Sequence, residues 1–321
     1  MKQKIKEFIL FLGAPLTFLS SLWVRYVRRL GAAGTISEKI FMKLGILPIL
    51  DQYYEPLINP KKYLTKSLRV DRELPGIDLN VEEQLNLLSK FNYNEELFKI
   101  PINKENENEY YYNNPWYGSG DAEYLYNIIR YFKPTKIIEI GSGYSTLMAR
   151  NAIANNKLDN LAYACNHICI EPYEMPWLEK LEVELIREKV ENLDKSLFQK
   201  LNANDILFID SSHIIRPQGD VVFEYLEILP TLKSSVLVHI HDILTPKDYL
   251  DEWVYEHYLW NEQYLLEGFL TLNSEFKIIG ALNYLAHNYR EQLSEKCPFF
   301  AAQHGHESNK REPRAFWMMR K

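Results

Sequence analysis

The run Lys136-Ile137-Ile138-Glu139-Ile140 is short and largely apolar, and it stops at Gly141-Ser142-Gly143, after which a helical pattern begins. A strand that turns through glycines directly into a helix is half of a βα unit, which points to a sheet with helical crossovers. Three later segments, 167–170, Ile206–Ile209 and 236–240, are equally short and apolar, with helical patterns between most of them. That is the sequence form of a parallel sheet covered on both faces. The expected fold is α/β, a doubly wound and mostly parallel sheet, and a late hairpin from 276–282 and 315–319 would complete seven strands. Ahead of the first strand, Tyr124, Leu125, Ile128, Ile129 and Phe132 mark the apolar face of a helix that Pro134 ends and Asp121 is expected to cap.

Open α/β sheets bind ligands beyond the carboxyl ends of their strands, and Gly141 and Gly143 allow the backbone to approach a ligand there. A Gly-x-Gly alone is weak and fits a tight turn without a ligand. The second strand, however, ends in Glu171, whose carboxylate can accept from both hydroxyls of a ribose, each charge-assisted bond being worth about 1.5–3 kcal/mol. A nicotinamide-binding fingerprint would need a third glycine where Thr146 stands, so that match fails.

The run Glu139-Ile140-Gly141-Ser142-Gly143-Tyr144-Ser145-Thr146 resembles the first motif of class I S-adenosylmethionine-dependent methyltransferases, and Glu171 resembles their ribose-binding acid. Phe208-Ile209-Asp210-Ser211-Ser212-His213 and Val238-His239-Ile240-His241-Asp242 resemble the fourth and fifth strand ends of a bacterial group in that superfamily, which includes small-molecule and sugar O-methyltransferases. Trp260-Asn261-Glu262-Gln263-Tyr264 is similar to a run in the same group, and the resemblance covers roughly the last two thirds of the chain. It implies a Rossmann-like methyltransferase fold with S-adenosyl-L-methionine as methyl donor. The implied donor contacts are Glu139, Gly141, Ser142, Gly143, Ser145, Thr146, Glu171 and Asp210. The implied acceptor is a hydroxyl-bearing small molecule, sugar or lipid-linked molecule. The rival outside enzymology is a donor-binding or scaffold protein that has lost turnover.

Methyl transfer from a sulfonium is an in-line displacement, so catalysis rests on positioning and on removing the acceptor proton. Asp210, His213, His241 and Asp242 all belong to segments expected at the carboxyl edge of the sheet. His213 is the expected base, because imidazole titrates near neutral pH, with Asp210 and Asp242 organising the site. Its plainer alternative is a brace for the following helix. In related metal-dependent O-methyltransferases, acids at these two strand ends hold a divalent cation. The resemblance therefore offers Asp210 and Asp242 as ligands for Mg2+ or a similar ion, although His241 stands where many of those enzymes have a second adjacent acid, and hard cations favour oxygen.

Lys2, Lys4 and Lys6 precede an uncharged run, 8–24, and Arg25, Arg28 and Arg29 follow it. As a straight helix that run reaches about 26 Å, just short of a hydrocarbon core of about 30 Å, and Pro15 interrupts its middle. Residues 1–34 are read as a membrane-associated segment that spans or lies on the bilayer, with a packed helix as the alternative. The arginines that follow argue against a cleaved signal peptide. The catalytic domain is expected on the cytoplasmic face, where the donor is made. Residues 35–118 read as a cap and 119–321 as the catalytic domain. Tyr249, Trp253, Tyr255, Tyr258, Trp260 and Tyr264 suggest a lid over 245–273, or simply core. A net charge of −6 gives no nucleic-acid footprint. Cys165 and Cys169 flank His167, but without a second ligand pair the run reads as a buried strand rather than a zinc site. His304 and His306 receive no role.

Overall fold

The computed structural model describes residues 2–52, 54–57, 59–302 and 312–321; His304 and His306 lie outside them. The chain divides into two compact units, one made of Met1–Ser67 with Glu252–Leu259, the other of Leu68–Asp251 with Trp260–Lys321.

The larger unit is built on seven strands: β1 (Lys136–Ile140), β2 (Asn166–Ile170), β3 (Glu184–Ile186), β4 (Ile206–Ile209), β5 (Leu237–Ile240), β6 (Phe276–Ala281) and β7 (Phe316–Arg320). Their order is β3-β2-β1-β4-β5-β7-β6. The first five are parallel, and β7 enters antiparallel between β5 and β6. Both faces of the sheet are covered, which is why the central strands are apolar at nearly every position. On one side Ile137, Phe208, Leu237 and Trp317 join a core with the helix Asp121–Phe132; on the other Ile138, Leu207, Val238 and Met318 meet Val221, Ile228 and Leu266. The chain leaves β1 toward β2 on one side and reaches β4 on the other. The crevice where order reverses therefore opens between the carboxyl ends of β1 and β4.

Several expectations shift in detail. β3 was not expected: one exposed and two half-buried residues give no readable alternation. Asp121 does not cap its helix. Gly120 is the cap residue, the Glu123 carboxylate accepts from its N–H at 2.9 Å, and Asp121 accepts the N–H groups of Arg314 and Ala315, both at 2.8 Å, tying the start of β7 to the helix. The first unit's main stretch ends at Ser67, within the segment 35–118 expected as a cap. Segment 245–273, expected as a lid or as core, is shared between the two units. Residues 252–259 belong to the smaller unit, while Leu266 and Leu270 of the helix Glu262–Leu270 are core residues of the larger one.

In the smaller unit, a 29-residue helix, Lys2–Leu30, runs unbroken through Pro15. At 1.5 Å per residue it is about 43 Å long, enough to cross a bilayer. Its apolar window is not buried against protein. A second helix, Ile36–Leu44, starts at Thr35, whose hydroxyl accepts the Glu38 N–H, and stops at Gly45 in the left-handed region.

Candidate active site

The loop after β1 is held from both sides. Gly141 N–H donates to Ile170 O at 3.0 Å, and Asp210 N–H donates to Ile140 O at 2.9 Å, so the ends of β2 and β4 clamp it. Gly141 has φ +76°, and a Cβ there would lie 1.8 Å from the Asp210 carbonyl oxygen. Only glycine fits, because of the neighbouring strand as much as any ligand. Gly143 differs. A Cβ there would meet nothing nearer than Met175 Cε at 3.8 Å, so its surface is open to a ligand.

Glu139 is buried and fully engaged. It accepts from Ser145 Oγ at 2.6 Å and Thr146 Oγ1 at 2.7 Å, and pairs with His167 Nε2 at 2.8 Å. Thr146 Oγ1 in turn accepts from Gly143 N–H at 3.0 Å. Three of the expected donor contacts, Glu139, Ser145 and Thr146, thus use their side chains to brace the loop and the helix Tyr144–Asp159. Ser142 is different: it is buried and its Oγ has no partner among the described residues. Burial lowers the His167 imidazole, but Cys169 and Glu139 outweigh it and raise it to about 10. Glu139 of β1 and His167 and Cys169 of β2 bring ligand atoms within 4.8 Å of one another, whereas Cys165 does not join them. At the end of β2, Glu171 Oε1 accepts the N–H groups of Tyr173 and Glu174, both at 2.9 Å; Oε2 makes no bond among the described residues.

Across the crevice, the ends of β4 and β5 bring Asp210, His213 and Asp242 together. His213 Nε2 lies 3.3 Å from Asp210 Oδ1 and 3.6 Å from Asp242 Oδ2. On the other edge of the ring, Nδ1 is 2.8 Å from Oε2 of Glu262, a wholly buried acid at the start of the helix Glu262–Leu270. Tyr225 OH donates to the other Glu262 oxygen at 3.0 Å, which fixes the carboxylate. Burial lowers the His213 imidazole; Asp210 and Glu262 more than compensate, leaving it well above its usual range. Burial raises Asp210, but His241 and His213 bring its carboxyl down to about 2. Glu224, behind Ser211, is pushed well up by burial and by the charge of Glu262.

His241 lies close to Tyr117, ring centroids 5.2 Å apart, and 3.7 Å from Asp242 Oδ1. His239 stacks on Phe208 at 4.0 Å inside the sheet, and burial drives it well below its usual range. One ligand atom each from Asp210, His213 and Asp242 falls within 4.8 Å of the others, a spacing that can hold a cation. Arg314 Nη1, 3.1 Å from Asp242 Oδ1, already supplies a positive charge there.

Sequence reasoning missed Glu262 and Arg314. Glu262 sits within the run Trp260–Tyr264 already singled out, but an acid in a first helical turn reads as a partner for the helix dipole. Arg314 follows Pro313 just before β7 and carries no motif at all.

A family model described as a methyltransferase domain matches residues 138–243, which run from β1 to just past β5. An uncharacterized protein of Archaeoglobus fulgidus is 30% identical over 218 residues, covering 64% of this chain and 86% of that protein. Among solved structures, the O-methyltransferase TomG of Streptomyces achromogenes, involved in tomaymycin synthesis and crystallised with SAM, is similar over 73% of this chain and 89% of its own, with 14% identity and a TM-score of 0.37.

Proposed function

Since the chain belongs to the class I S-adenosylmethionine-dependent methyltransferases, we propose that it moves the donor's methyl group to a hydroxyl of a small-molecule, sugar or lipid-linked acceptor. The observation that carries this reading is the convergence of Asp210, His213 and Asp242 across the crevice from the open face of Gly143, with Glu262 fixing the far side of the ring. The donor, when bound, supplies the electrophilic methyl. Gly141, Ser142 and Gly143 would give it backbone and a free hydroxyl, and Glu171 Oε2 and Asp210 would hold its other polar groups. Glu262 accepts the Nδ1 proton and so leaves Nε2 for the acceptor, whose hydroxyl proton His213 would take while the methyl group exchanges its bond to the donor's sulfur for one to the acceptor oxygen.

Against burial, the carboxylates of Asp210 and Glu262 favour the protonated form of the His213 ring and hold its pKa well above the usual imidazole range. Turnover therefore rises as pH climbs and that proton leaves. A second reading has a divalent cation among Asp210, His213 and Asp242, supported by the 4.8 Å clustering of their ligand atoms. A cation there would polarise the acceptor oxygen at lower pH. Chelation followed by magnesium or manganese separates the two: activity lost and restored supports the cation, whereas chelator-resistant activity supports the hydrogen-bonded cluster.

The helix Lys2–Leu30 is proposed to hold the protein at a membrane, with the larger unit on the cytoplasmic side. Its length, its apolar run and its exposure support this. Extracts of cells with and without the protein, compared by mass spectrometry for a difference of one methyl group, test the activity directly. No such difference, together with intact donor binding, would favour a scaffold.

A further inference from the structure

The segment that follows the long apolar helix is itself uncovered. Only residues 31–35 separate Lys2–Leu30 from Ile36–Leu44. None of the nine residues of the second helix is buried. At about 100° per residue, Ile36, Ile40 and Leu44 share one face, and they are 77%, 51% and 65% exposed. Lys39 and Lys43 border that face. A nine-residue helix without a packed side is too short to persist in water on propensity alone. It needs something to cover it.

We propose that Ile36–Leu44 lies in the plane of an anionic lipid surface, with Ile36, Ile40 and Leu44 at the acyl boundary and Lys39 and Lys43 among the headgroups. The inference rests on reading 8–24 as the membrane segment. Two observations choose lipid over a protein partner. The first is position. Trp23 and Tyr26, ring centroids 5.9 Å apart, stand with Arg25, Arg28 and Arg29 at the end of the apolar run, the aromatic and basic girdle of a helix leaving hydrocarbon. Five residues carry the chain at most about 18 Å from there, so Ile36–Leu44 starts near headgroup level. The second is charge. The whole chain has a net charge of −6, yet residues 25–43 hold five cations, Arg25, Arg28, Arg29, Lys39 and Lys43, against the single acid Glu38. Glu55 neutralises Arg28 at 2.6 Å, which leaves a basic excess beside the apolar face.

The test is amide hydrogen exchange on the full chain, in detergent, in vesicles of phosphatidylcholine, and in vesicles that also contain phosphatidylglycerol. Exchange over 36–44 should slow by about tenfold or more in the phosphatidylglycerol vesicles. The double variant Lys39→Glu, Lys43→Glu should lose that protection while 8–24 stays protected. Fast exchange over 36–44 beside a protected 8–24 overturns the inference and leaves the membrane segment standing, whereas fast exchange over both overturns the two together. Equal protection without phosphatidylglycerol removes the anionic surface. Protection that grows with the protein-to-lipid ratio assigns the face to a second copy instead. None of these outcomes depends on methyl transfer.

Discussion

His213 and Asp242 have φ of +60° and +56°, in the left-handed region that residues with a Cβ seldom occupy. Such backbone persists only where its surroundings hold it, and here the surroundings are one another: Glu262, Asp210 and Asp242 around a single ring. A raised imidazole pKa contributes stability in full below its unfolded value of about 6.5 and loses it as pH rises through the folded value. We therefore expect denaturant stability to fall on the alkaline side, in the same range where turnover rises. Glu262→Gln keeps the shape but removes one charge, so both transitions should move to lower pH; a pH–rate profile identical to wild type would remove Glu262 from the mechanism. His213→Gln should lower kcat by about two to four powers of ten with little change in donor affinity. Donor binding is better probed at Gly143 than at Gly141, where any side chain strikes the Asp210 backbone and the fold fails first. Gly143→Val should fold and lose the donor in calorimetry, and Glu171→Ala should weaken it by about one to two powers of ten. Unchanged affinity in both would sink the proposed donor site. The convergence of Asp210, His213 and Asp242 was legible because they follow strand ends beside a recognisable loop. Glu262 was not, since its partner lies 49 residues away in the chain and no local pattern records the contact.

Elements with a strong local signal were readable and those fixed by distant contacts were not. β1 and β4 match their expected bounds because they are buried on both faces, whereas β3, three residues at the sheet edge, leaves no pattern. The helix Asp121–Phe132 was legible from its apolar face, but the work of Asp121 was not, because the groups it binds lead into β7 almost two hundred residues later. That tether makes a prediction. Asp121→Ala leaves the N–H groups of Arg314 and Ala315 without their acceptor, and it should cost about 1–3 kcal/mol in urea unfolding. The same change should reduce activity, since Arg314 reaches Asp242. Unaltered stability would mean that β7 is held by its strand pairing alone.

At the scale of the whole chain, one unit carries the methyltransferase sheet and the other carries an apolar helix with no protein cover. The sequence announced both, through Gly141–Gly143 and through the uncharged run between basic flanks; the apolar and basic pattern stops well before the smaller unit does, so nothing local marks Ser67 as its edge. If the smaller unit serves attachment and the larger one chemistry, the two functions should separate cleanly. Removing residues 1–29 should shift the protein from the membrane to the soluble fraction while donor affinity stays within about twofold, since Gly143, Ser142 and Glu171 all lie in the other unit. Attachment should also bear on the acceptor. An enzyme confined to the bilayer surface meets lipid-linked molecules at high effective concentration and dissolved ones only at their bulk concentration. For a lipid-linked acceptor in vesicles, the truncated protein should therefore lose turnover by about two powers of ten or more, and lose little once the same acceptor is dispersed in detergent. Equal loss in both settings would place the N-terminal helix in folding or catalysis. No loss in either would leave it without a part in reaching the acceptor.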